Sequence, residues 1–290
     1  MTVGTTGPRG GRLIPLHDAD LHVYDVGRPD GPALVLVHGF LTSAYTWRLV
    51  YPALARDHRV LLVDLPGSGH SPDLRDQSQW TADRCADLLV QLLDALGLAT
   101  ATVIGTQMGG SVAAWFAARN PDRAARLVVL AAGALGETST NLRLYRLLAA
   151  PRIGPRLARF FPRARFEERW LAAHGPAHRL DPAATDYYFE QLRCRGHVMA
   201  RFGLGVRLSY GESFDALARP LRGLAVPTLL LFGNADPLVP PMTGRRFQEL
   251  LADARLVVLP DCGDFPQEEQ PDRVVSEILS FLGEQRPGPG

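Results

Sequence analysis

With 290 residues, 46% of them hydrophobic and 21% charged, the chain can form two domains at most or one large α/β unit with an insertion, and its composition excludes a disordered or collagen-like polymer. A net charge of +1 excludes a global basic field for nucleic acid or an anionic membrane. There is no lysine among the 31 cations, which are all arginine, so lysine Schiff-base chemistry is excluded as well.

The N-terminal stretch MTVGTTGPRGGR lacks the apolar core of a signal peptide. No run reaches the roughly 18 apolar residues that span a bilayer, and a cytoplasmic location is expected. Cys85, Cys194 and Cys262 lie far apart, which suggests neither a disulfide framework nor a zinc site.

Short aliphatic runs predict strands at 21–26, 33–37, 60–63, 102–104, 127–130, 228–232 and 255–259. Several are apolar on both faces, as strands of a parallel sheet covered on both sides must be. Between them lie helical patterns. One is capped by Thr81, turns Leu88, Leu89, Leu92, Leu93 and Leu96 inward and stops at Gly97, and others follow Gln107, Pro241 and Pro271. From about 134 to 220 the strand signal gives way to arginine-rich amphipathic pieces at 141–150, 155–161, 166–174 and 182–193. The expected organisation is a core of residues 12–133 and 221–284, a helical lid at 134–220, and flexible tails at 1–11 and 285–290.

The segment Val103 to Gly110, VIGTQMGG, passes from a strand through a sharp turn into a helix. Gly105, Gly109 and Gly110 supply the missing side chains that such a turn needs, and Gln107 stands at its apex. Here the chain resembles the α/β-hydrolase superfamily. LVHGF at 36–40 is similar to the family's HG oxyanion loop, and DLPGSGHS at 64–71 to its DxxGxGxS turn. GNADPLVP at 233–240 is similar to the loop bearing its acid, and DCGDFPQEEQP at 261–271 to the loop that usually carries its histidine. The resemblance implies an α/β-hydrolase fold: a mostly parallel, doubly wound sheet with a helical lid inserted between two core strands.

It also implies where the chemistry departs from the family. Gln107 takes the nucleophile's place and Asp264 the histidine's, and of the triad only the acid, Asp236, matches. The family's oxyanion donors are backbone N–H groups, which map onto Phe40 and Met108 and survive any change of side chain. Asp236 and Asp264 should lie close together and hold a shared proton, with Asp264, shorter than histidine, retracted from the pocket. As other nucleophiles, Thr106, Ser111 and Cys262 lack an evident histidine to activate them. His38 belongs to the HG motif, and His70 and His197 are read as structural. The alternative readings are Asp264 as an acceptor of backbone hydrogen bonds in its own loop, and Gln107 as a neutral plug.

Between Asn141 and Tyr210 stand thirteen arginines against five acids, a surplus suited to an anionic or carrier-protein-bound substrate or to solvated helix faces. Among the aromatic residues interleaved with them, Trp170, Tyr187, Tyr188 and Phe202, together with His38, are expected at a hydrophobic substrate. No cofactor, metal or nucleotide motif appears. The expected function is non-hydrolytic cyclase, lyase or isomerase chemistry on a hydrophobic carbonyl compound of natural-product or polyketide-like character, through the oxyanion hole, Gln107 and Asp264; the alternatives are hydrolysis of an ester or epoxide by directly activated water, and ligand binding without catalysis.

Overall fold

The computed structural model describes residues 7–74, 81–133, 135, 142–209 and 215–284. The tail residues 1–6 and 285–290, and Tyr210 in the expected lid, lie outside these. The strands are β1 (Arg12–Pro15), β2 (Asp20–Gly27), β3 (Ala33–Val37), β4 (Arg59–Asp64), β5 (Ala101–Thr106), β6 (Ala124–Leu130), β7 (Thr228–Gly233) and β8 (Ala254–Leu259). They form one sheet in the order β1-β2-β4-β3-β5-β6-β7-β8. β1 and β2 run antiparallel to their neighbours and the rest are parallel.

Side-chain alternation divides the core in two. Val35 and Val37 of β3 join one apolar cluster with α2 (Ala82–Ala95), α3 (Met108–Arg119), α8 (Asp215–Leu221) and α9 (Pro241–Leu250). Leu34 and Leu36 point to the other face, into a cluster with α1 (Tyr51–Leu54) and α11 (Pro271–Gly283). Every residue of β3 and β7 is buried, as the continuous apolar runs demand. The Thr81 hydroxyl caps α2 by accepting the Arg84 N–H at 3.2 Å, and Gly97, at φ 66°, follows its end.

Between β6 and β7 the described chain holds α4 (Leu142–Ala149), α5 (Gly154–Arg159), α6 (Arg163–Ala172), α7 (Pro182–Ser209) and α8. Two sequence expectations need correction. β1 was not foreseen, because an edge strand with one buried residue carries almost no apolar signal. The helix expected at 182–193 continues to Ser209 through Gly196 and Gly203, since glycine inside a helix is tolerated where packing requires closeness. A Cβ on Gly203 would collide with the Phe40 ring. No helix among the described residues is long and apolar enough to cross a membrane.

Candidate active site

Four loops leave the C-terminal ends of the parallel strands, where ligands bind in open α/β sheets. β3 leads to His38, Gly39 and Phe40, and β5 to Gln107. The loop after β7 brings Asp236. The loop after β8 brings Asp264, just ahead of the short α10 (Pro266–Glu269).

Gln107 has φ 52° and ψ −120°, a left-handed conformation costly for any side-chain-bearing residue, and is pinned by donating its N–H to the Leu130 carbonyl at 2.8 Å. Gly109 is required on the next turn: a Cβ there would strike the backbone carbonyls of Val37 and His38. The turn therefore keeps the strained geometry of a nucleophile elbow with an amide at its apex.

The Gln107 amide nitrogen donates to Asp264 Oδ2. Its carboxamide oxygen packs where a Cβ on Gly39 would stand, and Gln107 Oε1, Asp264 Oδ1 and Asp236 Oδ2 are all buried with no hydrogen-bond partner in the protein. Gly39→Ala is accordingly expected to lower stability by about 1–3 kcal/mol by overpacking. Adding Gln107→Ala should recover most of that loss, and thermal melts of the two single variants and the double close the cycle.

Asp264 is fully enclosed. Burial first, and the neighbouring Asp236 carboxyl second, push its pKa well above the usual carboxylate range, against the Gln107 hydrogen bond. Burial likewise pushes Asp236 up to about 7, although its Oδ1 accepts the Leu238 and Val239 N–H groups at 2.7 and 2.8 Å. Both carboxyls are thus biased toward their protonated forms. Asp264 does not accept hydrogen bonds from its own loop. Its short side chain is taken up by the Gln107 amide, and the loop is shaped by Glu269, whose carboxylate accepts the Gly263 N–H at 3.0 Å and the Gly175 N–H at 2.7 Å.

Phe40, Gln107, Met108 and Asp264 line a cavity of about 490 Å³. Trp170 lines it too, its ring 4.7 Å from Phe265 and 4.5 Å from Tyr188. Four expected substrate contacts are not on its wall. His38 is buried, donates Nδ1–H to the Gly39 carbonyl at 2.8 Å and accepts the Leu65 N–H on Nε2 at 2.9 Å, so it is a neutral brace of the loop. Tyr187 shares a 2.8 Å hydrogen bond with Ser43. Phe202 is buried in the main core.

The Tyr188 hydroxyl donates to Glu268 at 2.6 Å, within a buried network. Arg48 donates to the same carboxylate at 2.8 Å, as does Thr46 at 2.7 Å. Gln267 donates to Thr46 at 2.8 Å and accepts from Thr106, the residue before the apex, at 3.0 Å. Thr106 is thus no spare nucleophile, and neither is Cys262, whose thiol burial pushes up. Ser111 lines the cavity, one helical turn below Gln107.

Sequence reasoning missed Tyr145 and Arg169 on the cavity wall. Tyr145 stands edge-on to Phe40 at 4.7 Å. Its phenol is pushed up by burial, pulled back by Arg169 and pushed again by Asp264, which places it in the field of both. The hint available was its spacing from Leu144 and Leu148 on one amphipathic helix.

Comparison with known proteins matches residues 32–271 to the family model of the alpha/beta hydrolase fold. The chain belongs to the α/β-hydrolase family. It is 29% identical over 302 residues to 2-hydroxymuconate semialdehyde hydrolase of a Pseudomonas species, covering 98% of each chain. It is 30% identical over 281 residues to the dihydrolipoyllysine-residue acetyltransferase component of the acetoin cleaving system of Pseudomonas putida, covering 94% of this chain and 67% of that one. Among solved structures, a hydrolase from Pseudomonas aeruginosa superimposes with a TM-score of 0.79 at 26% identity, over 95% of this chain and 99% of that one. The α/β-hydrolase relatives are mostly hydrolases.

Proposed function

We propose that this α/β-hydrolase-family chain hydrolyses an apolar, carbonyl-bearing small molecule with water activated directly at Asp264, without a covalent enzyme intermediate. The observation that carries this reading is the pair of buried, unpartnered acceptors Gln107 Oε1 and Asp264 Oδ1 on one cavity wall. Buried acceptors call for donors, and a water supplies two O–H groups. Gln107 then has two tasks: its amide nitrogen orients the Asp264 carboxyl, and its oxygen orients the water.

The Asp236/Asp264 pair, holding one proton, takes a proton from water as its oxygen attacks the carbonyl carbon, and returns one to the leaving group. The Phe40 and Met108 N–H groups bind the oxyanion. The helices between β6 and β7 act as a lid over the cavity. Arg169 at the rim suits a substrate with an acidic group.

A second reading rests on the missing side-chain nucleophile at the apex: the same oxyanion hole and acid would serve a non-hydrolytic rearrangement. Turnover of activated esters and vinylogous diketones in 18O-water, with intact-protein mass recorded through the first turnover, separates them. The expected result is one 18O in the acid product of the first turnover and no mass increase on the protein. An acyl adduct would overturn the direct-water mechanism. A product of unchanged mass would select the second reading, and tight binding without any product would make the chain a binding protein.

A further inference from the structure

Away from the cavity, one group of side chains among the described residues has the composition and closeness of a metal site: His22 on β2, Asp64 at the end of β4, and His70 on the turn that follows. Their ligating atoms all lie within 4.8 Å of one another. His22 Nδ1 is 3.4 Å from Asp64 Oδ2, and His70 Nδ1 is 3.8 Å from the same oxygen. A four-coordinate zinc with bonds of about 2.0–2.1 Å separates its ligands by about 3.4 Å, so the three atoms stand near the edges of such a polyhedron before any adjustment.

The electrostatics point the same way. Asp64 is 1% exposed, and its ion-pair partners among the described residues are the two imidazoles. Its Oδ1 accepts the Ala44 N–H at 2.8 Å and its Oδ2 the His70 N–H at 3.0 Å, which leaves lone pairs on both oxygens. A buried carboxylate needs a cation, and among the described residues no arginine forms an ion pair with this one. His22 Nδ1 is buried with no hydrogen-bond partner. The His70 ring is 63% exposed, with Nδ1 3.1 Å from the Tyr24 hydroxyl, and gives a route from solvent.

We propose that His22, Asp64 and His70 bind one divalent cation of the zinc type, through both Nδ1 atoms and Asp64 Oδ2, with a fourth position open to water. Two imidazoles and one carboxylate favour zinc, and its neighbours nickel and copper, over magnesium or calcium, which prefer all-oxygen sites. None of the three residues lines the cavity, so the metal's role is structural. It would tie β2, beside the edge strand β1, to the turn on which α7 rests, for Arg195 of α7 donates to the Gly69 and Ser71 carbonyls at 2.8 and 2.6 Å. The site stands independently of the proposed reaction.

The test uses untagged, chelator-stripped full-length protein, titrated calorimetrically with Zn2+ and spectroscopically with Co2+. His70→Ala on the exposed turn is the principal variant. His22→Gln is the second, and circular dichroism checks the fold of both. The expected result is one Zn2+ per chain, visible Co2+ bands of a tetrahedral site, and a Zn2+-dependent rise in Tm. Each variant should bind at least roughly tenfold more weakly and lose the rise in Tm. No uptake by the wild type, or uptake of equal affinity in both variants, would overturn the proposal. The first of these would leave Asp64 with the two imidazoles and backbone N–H groups alone, and the second would place the metal at another group, such as the stacked His174 and His178.

Discussion

Asp264→Asn is expected to make a more stable protein with almost no turnover. In the folded chain the Asp236 carboxyl is pushed up to about 7 and Asp264 is raised well above the ordinary carboxylate range, whereas both ionise near 4 in the unfolded chain. Between these limits the native state binds more protons than the unfolded one, so the pair lowers stability progressively as pH rises from about 4 to about 7. Below about 4 both states are protonated and the penalty vanishes. Removing one member of the pair should recover on the order of 2 kcal/mol at pH 8 and flatten the stability profile across that window. The asparagine oxygen still accepts the Gln107 amide, so the geometry persists, while the loss of the acid–base group should lower kcat by about 10²–10⁴. Chemical denaturation of wild type and variant at pH 4, 6 and 8, beside single-turnover rates, checks both halves. A variant less stable than wild type at pH 8, or one retaining its rate, would remove Asp264 from the chemistry proposed for it.

The second large effect concerns what the frame still permits. Gln107→Ser combined with Asp264→His should create a serine esterase. Two parts that do not depend on these side chains are in place: the left-handed apex at φ 52°, and Asp236 with an unpartnered buried Oδ2. The double variant should hydrolyse activated esters at least about 10²-fold faster than Gln107→Ser alone, because a serine without its base is a poor nucleophile. A burst of one product equivalent and an acyl adduct by mass would accompany it. Equal rates for the single and double variants would mean that the loops after β7 and β8 no longer bring acid and base into line.

The fold was largely legible because strands such as ALVLV and TLLLFG are apolar on both faces, a pattern that only a doubly covered sheet satisfies. The apex was legible for a similar reason: glycines at 105, 109 and 110 around one polar residue have a steric purpose. The pairing of Gln107 with Asp264 was accessible only through the resemblance, since no local pattern links positions 157 residues apart. The cavity wall was the least legible part. In arginine-rich helices the 3.6-residue period marks a buried flank without telling core from cavity, so Tyr187 and Tyr188 were as plausible as Tyr145. His22 drew no reading and His70 only a structural one, because neither strand nor turn pattern shows which distant side chains meet. Their meeting at Asp64 depends on the antiparallel register of β2 with β4, which pairs His22 with Asp64.

The buried chain of hydrogen bonds from Thr106 through Gln267, Thr46 and Glu268 to Tyr188 ties α7 to the end of β5 beside the elbow. Lifting α7 at Tyr188 would strand a phenol and disturb the ion pair with Arg48, both out of water, and removing one partner from such a buried charge is costly. Lifting α10 along with it would pull on the residue next to the elbow. By contrast α4 and α5, with the exposed Leu147, Ile153 and Phe160 on and beside them, are held on α7 by apolar packing of Leu148, Ala149 and Ala158 against Leu192 and Ala200.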